Sequence, residues 1–136
     1  MPVRIDIRYE GDLHCTVLHG PSGDSFPTDA PADNRGRGEH ISPTDLVAAA
    51  MGSCMLTIMG IVARDRDIDM GGATASVVKE MATVPRRHIG RLGVEIRLPV
   101  RLSARERALL EAAAHGCPVH ASLGPGTQVD LHFVYA

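Results

Sequence analysis

Ser42-Pro-Thr-Asp-Leu-Val-Ala-Ala-Ala-Met-Gly-Ser-Cys-Met-Leu-Thr-Ile-Met-Gly-Ile-Val-Ala63 is the stretch that decides how this chain folds. Ser42 is a good helix cap and Pro43 suits the first helical turn. Asp45, at the third helical position, completes a capping-box variant with Asp in place of Glu. No charge interrupts Leu46 to Ala63, so the predicted helix, running to about Arg64–Asp67, has to bury much of its surface. Its 18 uncharged residues reach only the lower edge of a membrane span. Gly52, Ser53, Thr57 and Gly60 break up the apolar run, and no second such run occurs, so the expected setting is protein, without a membrane. The small side chains of Ala48-Ala49-Ala50 and Gly52-Ser53 let another backbone come close.

On the amino-terminal side, Val3, Ile5, Ile7 and Tyr9 alternate with Arg4, Asp6, Arg8 and Glu10, the two-residue period of a strand. Gly11-Asp12 reads as a turn and Leu13 to His19 as the returning strand. From Gly20 to Ile41 the chain is rich in Pro, Gly and Asp and reads as one long loop, with Asp33 to Glu39 its most flexible part. On the other side, Gly71-Gly72 breaks the chain. Ala73 to Thr83 and His88 to Val100 then form a predicted hairpin, with Leu92, Val94, Ile96 and Leu98 on one face. Ser103 and Glu106 make a capping box for a second helix, which Gly116 ends. Pro118 starts a short helical piece with Cys117 at its cap, and Thr127 to Val134 is a last strand. The order predicts an α+β fold of antiparallel sheet and segregated helices, in a single domain over residues 1–136.

Composition narrows the function. The chain has 136 residues, 44% of them hydrophobic, and a formal charge of -2 with acidic and basic residues interspersed. Without a basic block or tryptophan it offers no footprint for nucleic acid. Arg86, Arg87 and Arg91 form the one basic cluster, read as a solvated hairpin edge. A core this small gains from pairing with a second copy. Three cysteines leave at least one thiol without an intramolecular partner, and no charged-then-apolar leader precedes the first strand, so the expected compartment is the cytoplasm.

Each cysteine is first a candidate small core residue. Cys15, on a strand between His14 and Thr16, keeps that reading. Cys54 lies beside Gly52 and Ser53, which leave space above its sulfur. Cys117 stands where the N–H groups of a new helical turn can meet a thiolate. Cys54 and Cys117 are 63 positions apart, and that spacing does not by itself bring the two together. His115 and His120 flank Cys117, but their spacing matches no ordinary zinc module. They are read as residues of two successive helical ends.

The phrases Ser42 to Met59 and Cys117-Pro-Val-His-Ala-Ser-Leu123 resemble the two signature regions of the OsmC/Ohr family. Pro85-Arg-Arg-His-Ile-Gly-Arg-Leu92 is similar to one OsmC-like branch, and the resemblance runs the length of the chain. It implies an intertwined homodimer with long central helices and sheets around them. It makes Cys54 the residue that attacks an organic hydroperoxide and Cys117 the one that resolves it by a disulfide. A dithiol, in this family often a lipoyl group, re-reduces the pair, and no metal, flavin or haem cofactor is called for. Met51, Met55 and Ile58 are the expected apolar lining beside Cys54.

The resemblance is incomplete at one point. Peroxidase members carry a glutamate ten residues before the reactive cysteine, which orients an arginine against its thiolate; this chain has Thr44 there, with Asp45 next to it. The family's arginine comes from the loop after the first strand, where Glu10-Gly11-Asp12 has none. Arg35, Arg37 or Arg4 are the candidate substitutes, with Glu39 to hold one of them. The alternative expectation is a non-peroxidase OsmC-like dimer acting in thiol–disulfide exchange or in binding a small apolar ligand.

Overall fold

A computed structural model describes residues 1–136, which divide into two compact units, residues 1–46 and 47–136. In the first, strands β1 (Ile5–Tyr9), β2 (His14–His19) and β3 (Ser25–Asp29) form an antiparallel sheet in that order. Gly11, Asp12 and Leu13 all take positive φ in the first turn, so β2 starts at His14. β3 falls where the sequence predicts only loop. Pro27, opposite Thr16, cannot donate to a ladder, which confines such a strand to the sheet edge and disguises it in the sequence.

The loop that follows β3 has a defined local path. The chain makes a 3-10 turn at Ala32–Asn34 and then a left-handed Arg35. A Cβ on Gly36 would lie 1.7 Å from the Ala30 carbonyl oxygen, so only glycine permits that close approach. The Asp29 N–H donates to the Ile41 carbonyl at 3.1 Å, fastening the far end of the loop to the strand that began it.

In the second unit, β4 (Thr74–Ala82), β5 (His88–Leu98) and β6 (Gln128–Tyr135) form a sheet with β5 central. β4 and β5 are antiparallel, but β5 and β6 run parallel, against the all-antiparallel expectation. The physical reason is the connection: helices α2 (Ala104–His115) and α3 (Pro118–Ser122) give the chain enough length to return and enter β6 in the same direction as β5. Arg91 ties the three strands together, its Nε donating to Asp130 at 2.6 Å and its Nη1 to Glu80 at 2.9 Å.

Helix α1 (Pro43–Asp65) begins as predicted, with the Asp45 N–H donating to Ser42 Oγ and the Ser42 N–H to Asp45 Oδ2. It is long and apolar enough to cross a membrane, and one of its faces is taken by protein. Ala48, Met51, Gly52, Met55, Met59 and Ala63 are buried at helical spacing. Fully burying each methionine contributes about 1.5–3 kcal/mol. With them in the core lie Leu92, Val94, Ile96 and Leu98 of β5 and Leu110 and Ala114 of α2. At Gly52 a Cβ would come within 3.0 Å of Val77 Cγ2, so the missing side chain lets α1 approach β4.

Candidate active site

Two elements of the second unit deliver the thiols. Cys54 sits midway along α1, half-buried, among side chains that pack on the core. Cys117 is fully buried, in extended conformation at the cap of α3, with Pro118 behind it in the first turn. α2 ends at Gly116, whose N–H turns back to the Ala113 carbonyl, and this aims Cys117 inward rather than along the helix. Both cysteines are reduced, and their thiols lie near enough for Cys54 to act on the proton of Cys117. The fold thus joins two residues that sequence spacing left apart.

Burial pushes the Cys117 thiol up, because the thiolate loses its water. The N–H groups of His120 and Val119 act the other way. Neither closes a cap hydrogen bond to the sulfur, but both lie near enough to favour its thiolate. The neighbouring Cys54 adds to the rise. Desolvation prevails, and Cys117 holds its proton more tightly than an ordinary cysteine. Two thiols in contact can give up two electrons and two protons and close into a disulfide.

The remaining predicted residues are distributed as follows. Met51 and Met55 are core residues with no exposure, and Ile58 is half-buried. Thr44 and Asp45 belong to the start of α1. The Thr44 hydroxyl is 3.3 Å from that of Ser42, and Asp45 is engaged in the cap. Arg35, Arg37 and Glu39 lie in the loop of the first unit, where Arg37 Nη2 stands 3.9 Å from Asp29 Oδ1. Arg4 pairs with its neighbour Asp6. Cys15 lies on the middle strand of the first sheet, opposite Tyr9 on one side and Thr28 on the other. His115 is tilted against the Phe133 ring at 6.3 Å.

One grouping escaped the sequence reading: Asp29 with His14, Glu39 and His40. Its signal was hidden with β3, since Asp29 was assigned to a loop and gave no reason to look for a buried carboxylate.

Comparison with known proteins bears on the thiol pair. No curated protein matches the chain. The solved structure of a Psychrobacter arcticus 273-4 protein, described as an osmotic stress induced and detoxification response protein, is 40% identical. It superposes with a TM-score of 0.88 over 95% of this chain and 93% of that one. An organic hydroperoxide resistance protein of Elizabethkingia anophelis shares the fold at 18% identity, with a TM-score of 0.79 over 100% of this chain and 97% of that one. A Legionella pneumophila organic hydroperoxide resistance protein does so at 19% identity, with a TM-score of 0.76 over 98% and 97%. The family described as OsmC-like protein matches residues 36–132, a span holding both cysteines. On that match and the Psychrobacter likeness, this chain belongs to the OsmC/Ohr family.

Proposed function

We propose that the protein reduces organic hydroperoxides to alcohols with Cys54 and Cys117 as its redox pair. The observation that carries this reading is the nearness of the two thiols, close enough for Cys54 to act on the Cys117 proton. Cys54, the more open of the two, is suited to meet a substrate, and buried Cys117, holding its proton, to act second as a thiol. The Cys54 thiolate attacks the terminal peroxide oxygen. The O–O bond breaks, and the alkoxide leaves as alcohol on taking a proton. Cys54 becomes a sulfenic acid. Cys117 then forms the S–S bond, and its proton leaves with the hydroxyl as water. A dithiol of lipoyl type returns both thiols and is itself oxidised to a cyclic disulfide. Such a cycle belongs in a reducing cytoplasm.

The working unit in this reading is a homodimer. Ile5, Ile7 and Tyr9 share one face of β1 and, with Val3 just before the strand, are 51–65% exposed, an apolar stripe that a second copy would cover. Met51, Met55 and Ile58 are kept as the apolar surroundings that would favour an organic over an inorganic peroxide, each buried methylene being worth about 1 kcal/mol.

Thr44 favours a second reading. Engaged with the Ser42 hydroxyl, it has no carboxylate with which to hold an arginine beside a thiolate. On this reading the pair exchanges disulfides, or the dimer binds a small apolar ligand, without fast peroxide turnover. Stopped-flow oxidation by cumene hydroperoxide and by hydrogen peroxide decides between them. Oxidation much faster than that of a small free thiol, with the organic peroxide preferred, supports the reductase. Reaction with neither peroxide beyond the free-thiol rate leaves the exchange or binding reading standing.

A further inference from the structure

The end of β3 and the loop after it hold a second cluster, which the thiol chemistry does not use. Asp29 is 1% exposed, and its Oδ1 is 2.6 Å from Nδ1 of His14. Its Oδ2 is buried and has no hydrogen-bond partner, an unusual state for a carboxylate oxygen in a protein interior. One donor atom each from Asp29, Glu39 and His40 lies within 4.8 Å of the others, and the His14 and His40 rings are 5.7 Å apart. The bond to His14, ahead of the opposing effect of burial and aided by the charges of His14, Arg37 and His40, holds the Asp29 carboxyl below the usual carboxylate range.

We propose that Asp29, Glu39 and His40 bind one divalent transition-metal ion of the zinc class, with His14 fixing the Asp29 carboxylate from behind. Two carboxylates and a neutral imidazole balance the double charge of the ion. The imidazole favours zinc and its neighbours cobalt and nickel over calcium and magnesium, which take oxygen donors. His14 occupies Oδ1 and leaves Oδ2 as the free donor, and the ion is what satisfies that oxygen. The backbone presents the other two ligands: the Gly38 N–H donates to the Ala30 carbonyl and the Asp29 N–H to the Ile41 carbonyl, so Glu39 and His40 sit between two fixed points. Both side chains are exposed and free to turn inward, closing the separation to the roughly 3.3 Å of a tetrahedral shell with bonds near 2.0–2.1 Å. Arg37, 3.9 Å from Oδ1 and 45% exposed, is a cation that must swing outward on its long stem as the ion enters. The bound ion closes the loop onto the sheet edge.

The test uses the full, tag-free chain with Cys15, Cys54 and Cys117 all replaced by serine, so that no thiol competes for metal. Titration with zinc chloride by calorimetry should give one ion per chain. Cobalt chloride should give a visible d–d spectrum, and zinc should raise the melting temperature where magnesium and calcium chloride do not. Glu39→Gln and His40→Ala should each weaken zinc at least tenfold, and Asp29→Asn should abolish the site. Should Asp29→Asn fail to fold, the two exposed positions still decide. Absence of stoichiometric uptake, or uptake that neither Glu39→Gln nor His40→Ala weakens, overturns the assignment.

Discussion

The Cys117 thiol is buried at the head of α3, while Cys54, near enough to raise its hold on the proton, is half open on α1. In the proposed mechanism this asymmetry gives the two thiols different work. Cys117→Ser should consume about one equivalent of cumene hydroperoxide and stop at sulfenic acid, whereas Cys54→Ser should consume almost none. Peptide mapping of the oxidised wild type should find the Cys54–Cys117 link with Cys15 still reduced. Recovery of mainly Cys15–Cys54 would reassign the roles.

The burial of Cys117 is measurable by itself. In a Cys15→Ser, Cys54→Ser chain, alkylation of Cys117 by iodoacetamide should rise with a midpoint above that of the unfolded chain. Burial, the larger cause, persists when the smaller contribution of Cys54 is gone. Because the folded-state value is raised, the unfolded chain loses this proton first as pH increases. The associated stability is therefore complete below the ordinary thiol range and declines through the folded-state value. A midpoint at or below that of the unfolded chain would contradict the burial described.

Tyr135 provides a second alkaline marker. Its hydroxyl donates to Glu111, and the Arg107 guanidinium carbon lies 4.0 Å from its ring centre. Burial, with the Glu111 carboxylate adding to it, pushes the phenol up to about 12. Ultraviolet titration should show this phenolate late, and Glu111→Gln should bring it earlier. The stability it supplies is intact below the ordinary tyrosine value and is lost as pH rises through about 12.

Ile7, 62% exposed on β1, tests the dimer. Ile7→Lys removes no core contact of comparable size, so its main expected effect is on association. Wild type should sediment as a dimer at micromolar concentration and the variant near the 14.5 kDa of one chain. A monomeric wild type would refute the dimer.

Gly52→Val should destabilise the chain by about 1–3 kcal/mol, since the added carbons must displace Val77 at the α1–β4 contact. Chemical denaturation measures this directly, and an unchanged midpoint would mean that the contact yields freely.

Legibility in the sequence varied with how local the cause was. The caps at Ser42 and Ser103, the buried alternation of Leu92 to Leu98 and the Cys117-Pro118 turn are fixed by neighbours within a few residues, and all were readable. The direction of β6 was not. Val129, Leu131 and Phe133 alternate identically in a parallel or an antiparallel pair, and only the crossover decides. β3 was missed because its strand character comes from pairing with β2 rather than from its own Ser-Phe-Pro-Thr-Asp. Asp29 was missed with it. The thiol contact needed motif resemblance before the fold displayed it, because nothing in the intervening residues encodes the meeting of α1 with the head of α3.

The crossover that carries Cys117 also makes the thiol pair a mechanical fastening. A covalent bond from α1 to the head of α3 would enclose β4, β5 and α2 in one ring of chain. For a ring of this length the lost freedom of the unfolded polymer is worth about 4 kcal/mol. Each turnover would then alternately tie and untie most of the second unit. The melting temperature would act as a gauge of oxidation, and a poorly reduced population would survive heat and proteases better than the form ready to react.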